Sequence, residues 1–493
     1  MHISQLESLQ RREFLRRTAA LGLAGSAGPL ALTLSGIGEA AAQSAPNNDY
    51  KALVCIFLYG GNDHDNTFVP YDDPSHEVYK SVRNFGTDGS NIYIPKVALT
   101  ALMPSGLPSG RQYGVQAAMG SMATLFNSSK KLGILLNVGP LVKPTTKLAY
   151  KNASPGDLPP KLFSHNDQFN LWQSGLAQDG AEGARSGWGG RLGDLFLGSE
   201  KRSHFTCINT AGNAVFMSGD SVLPYQITSG GPVAVSSITF SSGVYQIPKC
   251  QEALKQLLEA TPTHWMEKEW ARAMKSSTSN YKTVADGIAP SDESKTSFFQ
   301  TPFNSDSLSA QLKIVARLIH ARSSLDVRRQ VFFVSLGGFD HHDGLISGHA
   351  GADGKGGLLK TVNDAMYSFY KATEQLGIAD KVTTFTASDF GRTLSSNGDG
   401  SDHGWGSHHM VMGGAVDGGQ FWGKAPDITT LDKAKDGPDS VGQGRLLPST
   451  SVDEYAAALA RWMGVSDTDL PTVLPNLSSF ESVSGRGRLA LFV

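Results

Sequence analysis

Four apolar runs, each stopping abruptly at glycine or at a short polar loop, most restrict what this chain of 493 residues can become. Leu53-Val54-Cys55-Ile56-Phe57-Leu58-Tyr59 stops at Gly60-Gly61, and the run 132–138 stops at Gly139-Pro140. The runs 331–336 and 382–387 stop at Gly337-Gly338 and Ser388-Asp389. An unbroken apolar run, as opposed to an alternating one, is the pattern of a strand covered on both faces. Amphipathic stretches at 306–322 and 357–377 lie between such runs. Strands alternating with helices predict an α/β fold with a mostly parallel central sheet and helices on both faces. In such sheets ligands gather beyond the carboxyl ends of the strands, which is where the polar loops of this chain fall.

From about 180 to 300 the pattern changes to short Ser-, Thr- and Gly-rich strands (204–247) and then a helical stretch (250–285), which reads as an insertion or cap. The tail from 424 carries one predicted helix, 452–463. Three cysteines occur and none forms a Cys-x-x-Cys pair. Cys55 belongs to an apolar run, while Cys207 and Cys250 are open either to a disulfide in an oxidising compartment or to remaining free.

The N-terminus carries Arg11-Arg12-Glu13-Phe14-Leu15, a mildly apolar run from Ala19 to Ile37, and the small residues Ala40-Ala41-Ala42. This is the layout of a cleaved twin-arginine signal, so residues 1–42 are set apart and 43–493 form the expected mature domain. Ser26, Pro29, Thr33 and Ser35 interrupt the run, which therefore falls short of the ~20 apolar residues of an anchor. The expectation is a periplasmic or secreted protein that meets the twin-arginine translocase during export and has no stable membrane insertion. Export of a folded chain also fits a protein that acquires a metal or cofactor beforehand. Without residues 1–42 there are 39 basic and 42 acidic side chains, a balance that points to no nucleic-acid partner.

Six of the 13 histidines fall between 341 and 409, namely His341, His342, His349, His403, His408 and His409. Asp340, Asp343, Asp389 and Asp402 accompany them. Neutral imidazoles and ionised carboxylates converging from several loops are what a divalent metal requires, zinc first among them, with calcium or magnesium as alternatives. A solvated polar loop accounts for any single histidine, but less well for the set.

The segments Phe57-Leu58-Tyr59-Gly60-Gly61-Asn62-Asp63, Phe163-Ser164-His165-Asn166-Asp167-Gln168, Gly338-Phe339-Asp340-His341-His342, Ser388-Asp389-Phe390-Gly391-Arg392-Thr393 and Asp402-His403-Gly404-Trp405-Gly406-Ser407-His408-His409 resemble landmarks of a twin-arginine-exported bacterial family of the alkaline phosphatase and sulfatase superfamily. The resemblance implies that Asp63 binds one metal and that Asp340 and His342 bind another, with His341 as the neighbouring option. It implies Ser164 as nucleophile at the start of a helix, 164–174, closed by Gly175. The superfamily's Asp-His pair is broken here, since Phe390 follows Asp389. The resemblance then points to His403 as the replacement and to His408 or His409 as the last ligand.

Two divalent ions about 3.5–4 Å apart can activate a hydroxyl and hold both oxygens of an in-line displacement, and a serine needs such activation. A helix N-terminus at Ser164 adds donors for an anion, although Ser is also a preferred N-cap. Arg392 is read either as a bidentate clamp on phosphate or sulfate or as a loop-stabilising residue. Asn62 and Asp63 also suit a turn, 397–402 weakly resembles a calcium loop, and Trp172, Trp188 and Trp405 suit either the lining of a sugar or aromatic-ester pocket or the core or rim. No Gly-x-Ser-x-Gly elbow, phosphate loop, dinucleotide fingerprint or Cys-x-Pro-x-Arg signature occurs. The function expected is an exported metal-dependent hydrolase of phosphate or sulfate esters of a small molecule or saccharide, using a serine at a one- or two-metal site. The alternatives are a non-catalytic exported protein that keeps the fold to bind a ligand or partner, and a single-metal enzyme using activated water.

Overall fold

The computed structural model describes residues 49–493 except 85–90, 105–106, 108–109, 177–182, 199–202, 236–246, 260–263, 293–297, 352–355, 432–434, 482 and 484–487. The expected twin-arginine leader, 1–42, lies outside the described residues. Lys51–Val493 forms one compact unit.

Its centre is a nine-stranded sheet: β1 (Lys51–Leu58), β2 (Leu132–Gly139), β3 (Cys207–Asn209), β4 (Tyr225–Gln226), β5 (Arg329–Leu336), β6 (Val382–Ser388), β7 (Ser407–Gly413), β8 (Phe421–Trp422) and β9 (Thr450–Ser451). The order is β8-β2-β7-β6-β1-β5-β3-β4, with β9 also paired to β2. Every pairing is parallel except the two made by β7, which runs against both β2 and β6. The four apolar runs are strands β1, β2, β5 and β6, and the burial of β1 and β2 along nearly their whole length explains why neither alternates.

Successive side chains of β1 divide the core. Leu53, Cys55 and Phe57 face Trp172, Trp188, Leu192 and Tyr455, which come from the helices His165–Ser174, Trp188–Phe196 and Val452–Met463. On the opposite side the helices Ser307–His320 and Gly357–Gln375 pack against each other, the first also against β5. The expected α/β architecture with a mostly parallel, helix-covered sheet is thus observed. Within the stretch read as an insertion, β3 and β4 extend the central sheet, and the helices Pro248–Glu259 and Trp265–Ile288 follow.

The cysteines are free: Cys55 and Cys207 are buried and Cys250 is exposed. Trp172, Trp188 and Trp405 are all core residues, with the Trp188 and Trp405 indoles donating to the carbonyls of Trp172 and Pro140. Among the described residues no helix is long and apolar enough to cross a membrane.

Candidate metal centre

Strands β1, β5 and β6 pair without a slip, Leu58 opposite both Leu336 and Ser388. Their carboxyl ends therefore finish level, and the loops that follow share one rim. The Ser388 hydroxyl clips two of them together, donating to Leu58 O at 2.7 Å and accepting from the Asn62 N–H at 2.9 Å. Gly60 sits at φ 111°, and a Cβ there would stand 2.5 Å from the Asp340 backbone nitrogen. Only glycine lets the β1 and β5 loops approach this closely.

Asp340 arrives on the β5 loop with its Oδ1 3.1 Å from His342 Nε2 and 3.5 Å from both His165 Nε2 and His403 Nε2. The His342 and His403 Nε2 atoms are 2.9 Å apart. Ligand atoms of His165, Asp340 and His403 all lie within 4.8 Å of one another, a group of three that could hold a metal ion. His165 is the first residue of the helix His165–Ser174, and His403 closes a ribbon in which Arg392–Ser396 pairs with Ser401–His403.

The back sides of these rings are held. His165 Nδ1 is 2.7 Å from Asp389 Oδ2, which also accepts from the Gly60 N–H at 3.1 Å. His403 Nδ1 is 2.7 Å from the carbonyl of Phe163, a residue in the left-handed region at φ 70°. A carboxylate and a carbonyl can only accept, so both Nδ1 atoms carry hydrogen, and in the neutral ring each Nε2 presents a lone pair. His165 Nε2 is buried with no hydrogen-bond partner.

Electrostatics separate the members. Burial alone would raise Asp340, but the Arg392 hydrogen bond and charge outweigh it and hold the carboxylate below its ordinary range. His165 is raised, chiefly by its hydrogen bond to Asp389, against the pull of burial. His403 is lowered, first by burial and then by the charges of His165 and Arg392. The set is thus two half-buried imidazoles of opposite tendency around one anionic oxygen, with the half-exposed His342 at its open side.

Of the residues expected from sequence, the structure brings together Asp340, His342 and His403, and sets Asp389 directly behind His165. Of the others, Arg392 binds Asp340 and Ser164 precedes His165, whereas Asp63, His408 and His409 are engaged elsewhere. Both oxygens of Asp63 are taken by Arg83, at 2.6 and 2.7 Å, and the pair is wholly buried. His408 and His409 are adjacent on β7 and so point to opposite faces. His408 lies against His64 and accepts from the Asn137 N–H through Nδ1, whereas His409 lies against Trp172 and Tyr455. Arg392 has no exposed side chain: its guanidinium is consumed by Asp340, Gly60 O and Ser401, so it positions Asp340 and does not reach an external anion. Ser164 occupies the N-cap position, yet its hydroxyl donates to Asp167 Oδ2 at 2.6 Å and makes no capping bond.

His165 is the residue that reasoning from sequence passed over. It stood in the quoted Phe163-Ser164-His165 segment, but its neighbour was the more familiar nucleophile. A histidine at the first turn of a helix, among loops already rich in histidine, was the available signal.

Solved structures resemble the chain remotely. The protein described as Ps i-CgsB in complex with k-i-k-neocarrahexaose is 10% identical, with 87% of this chain and 77% of that one covered and a TM-score of 0.33. The C-terminal periplasmic domain of EcEptC from Escherichia coli, a complex with Zn, is 8% identical, with 74% and 73% covered and a TM-score of 0.28. A Bacteroides thetaiotaomicron protein described as BT33494S-sulf is 10% identical, with 90% and 78% covered and a TM-score of 0.34. No protein of curated function matches the chain. Residues 50–469 match the model of the family described as protein of unknown function, DUF1501, and the chain belongs to that family.

Proposed function

We propose that this protein is an exported metal-dependent hydrolase of phosphate or sulfate esters, with a divalent ion held by His165, Asp340 and His403 and completed by His342. The observation that carries the reading is the buried, unpartnered His165 Nε2, presented by Asp389 toward Asp340 Oδ1 and the second ring at His403. Three imidazoles and one carboxylate suit zinc, whereas calcium and magnesium prefer all-oxygen sets. Bound there, the ion would supply Lewis-acid polarisation of an ester oxygen and favour a deprotonated hydroxyl nearby.

The chain's own groups supply the rest. Ser164 precedes His165, and its hydroxyl already touches a carboxylate, Asp167, that can accept its proton. The free amides at the start of the ten-residue helix His165–Ser174 favour an anionic ester group at that end. Asp389 and the Phe163 carbonyl fix ring orientation, and Phe390, packed 4.7 Å from both the His165 and His403 rings, excludes water from behind them.

Elemental analysis of the purified protein tests the metal, and turnover of aryl phosphates and aryl sulfates tests the chemistry. Bound zinc that disappears in His403→Ala, together with ester hydrolysis that disappears in Ser164→Ala, is the expected result. A protein without stoichiometric metal would end the proposal. A non-catalytic ligand-binding role is the second reading, favoured by the buried guanidinium of Arg392, which leaves no arginine from the expected set to meet an anion. Full metal content with no turnover on either ester class selects it.

A further inference from the structure

We propose that the centre takes a single cation, and that the Arg83 guanidinium serves as a built-in positive group that removes Asp63 from the pool of metal ligands. The inference rests on the metal reading above and concerns how many ions the site admits. A second ion needs its own set of donors, and three observations bear on whether the expected ones assemble it.

Asp63 lies on the loop after β1, the loop that also supplies Gly60 to Asp389. Both of its oxygens are nevertheless bound by Arg83, with neither side chain exposed. The guanidinium is locked in turn, donating to Thr393 O at 3.2 Å and lying 3.6 Å from Asp65 Oδ2. A bidentate arginine satisfies a carboxylate in charge and in geometry, so an ion could recruit Asp63 only by displacing a buried guanidinium that has no route to water.

Asp389 is the next carboxylate. Its Oδ2 is shared by His165 and Gly60, which leaves one oxygen, the buried and unpartnered Oδ1. A lone carboxylate oxygen does not make a second site. Where a histidine beside Asp389 would complete one, the chain has Phe390, whose ring fills the space against His165 and His403. Two further expected ligands, His408 and His409, diverge to opposite faces of β7, and His408 spends Nδ1 on the Asn137 amide.

A one-ion centre cannot grip the entering and leaving oxygens between two metals. Asp167, already in contact with Ser164, is in place to take the proton of the attacking hydroxyl.

The experiment is metal counting on the full-length protein, dialysed against excess zinc and then against metal-free buffer. It is paired with X-ray absorption at the zinc edge, where two neighbouring ions would scatter from each other at roughly 3.5–4 Å. One zinc per chain and no metal–metal scattering is expected, with the zinc lost in His403→Ala. Two zincs per chain, or a metal–metal shell, would overturn the single-ion inference and leave the metal reading standing, whereas no zinc at all would overturn both. Asp63→Asn supplies an independent arm: a folded variant, checked by circular dichroism, is expected to keep its one zinc. Loss of zinc from that folded variant would overturn the role given to Arg83, and if the variant does not fold, the count on the parent protein decides.

Discussion

An imidazole offers two nitrogens, and the one that faces a metal is decided by whatever holds the other. Asp389 does this for His165, and the Phe163 carbonyl does it for His403. Asp389→Asn is therefore expected to preserve the fold and the single zinc but to weaken its binding about 10–100-fold, read by competition with a chelator; unchanged affinity would detach Asp389 from the centre. Asp340, His342 and His403 were legible in the sequence because they follow strand ends in histidine-rich loops. Asp63 looked equally suited, since nothing in the local sequence announces that Arg83, 20 residues later, folds back onto it. For Arg392 the sequence left open an anion clamp or a loop-stabilising residue, and the ribbon Arg392–Ser396 turns it inward to Asp340.

Elements carry these residues, and their ends can be tested separately from the chemistry. Gly60→Ala would place a Cβ 2.5 Å from the Asp340 nitrogen in a left-handed backbone. The expected result is a loss of about 1–3 kcal/mol together with weakened zinc binding, measured by calorimetry and chelator competition. Ser451→Ala offers the contrast, because Ser451 and Glu454 form a reciprocal capping box at the start of the helix Val452–Met463, with Ser451 paired to β2 and not to β1, β5 or β6. It is expected to cost about 1 kcal/mol while zinc affinity stays constant, and a change in affinity there would mean the helix cap and the centre are coupled. The strands themselves were readable because burial on both faces leaves an unbroken apolar run. β7 was not, since Ser407-His408-His409 reads as a polar site loop until pairing with β2 and β6 buries it.

At the scale of the whole molecule, buried histidines set the response to acid. Burial lowers His349 and His409 to about 3 and His408 well below its ordinary value. In the native state these rings stay neutral, whereas in the unfolded chain they take a proton near pH 6.5. The unfolded state then binds more protons, so stability present above pH 6.5 is lost as pH falls through 6.5 toward 3, by up to about 1.4 kcal/mol per pH unit for each ring. Asp453 opposes this: burial raises it to about 7, so its contribution is present at low pH and lost as pH rises from 3.8 to 7. Three rings outweigh one carboxyl. The melting temperature is expected to drop steadily between pH 6.5 and 4, and a flat profile across that range would refute the neutral assignment. The general α/β plan was legible from four apolar runs, but the joining of 204–226 to the sheet edge was not, because β3 and β4 are only three and two residues long.

The reversed direction of β7 has one more effect. After β6 delivers the chain to the rim, a parallel neighbour would require a crossover to the far side before the next strand could begin. By running downward from that same edge, β7 spares the detour, so residues 389–406 are spent entirely above the sheet, forming the awning that bears His403 and Arg392. Lengthening or exchanging the turn between Ser396 and Ser401 would remodel the mouth of the centre while every ladder of the nine-stranded platform stayed in register.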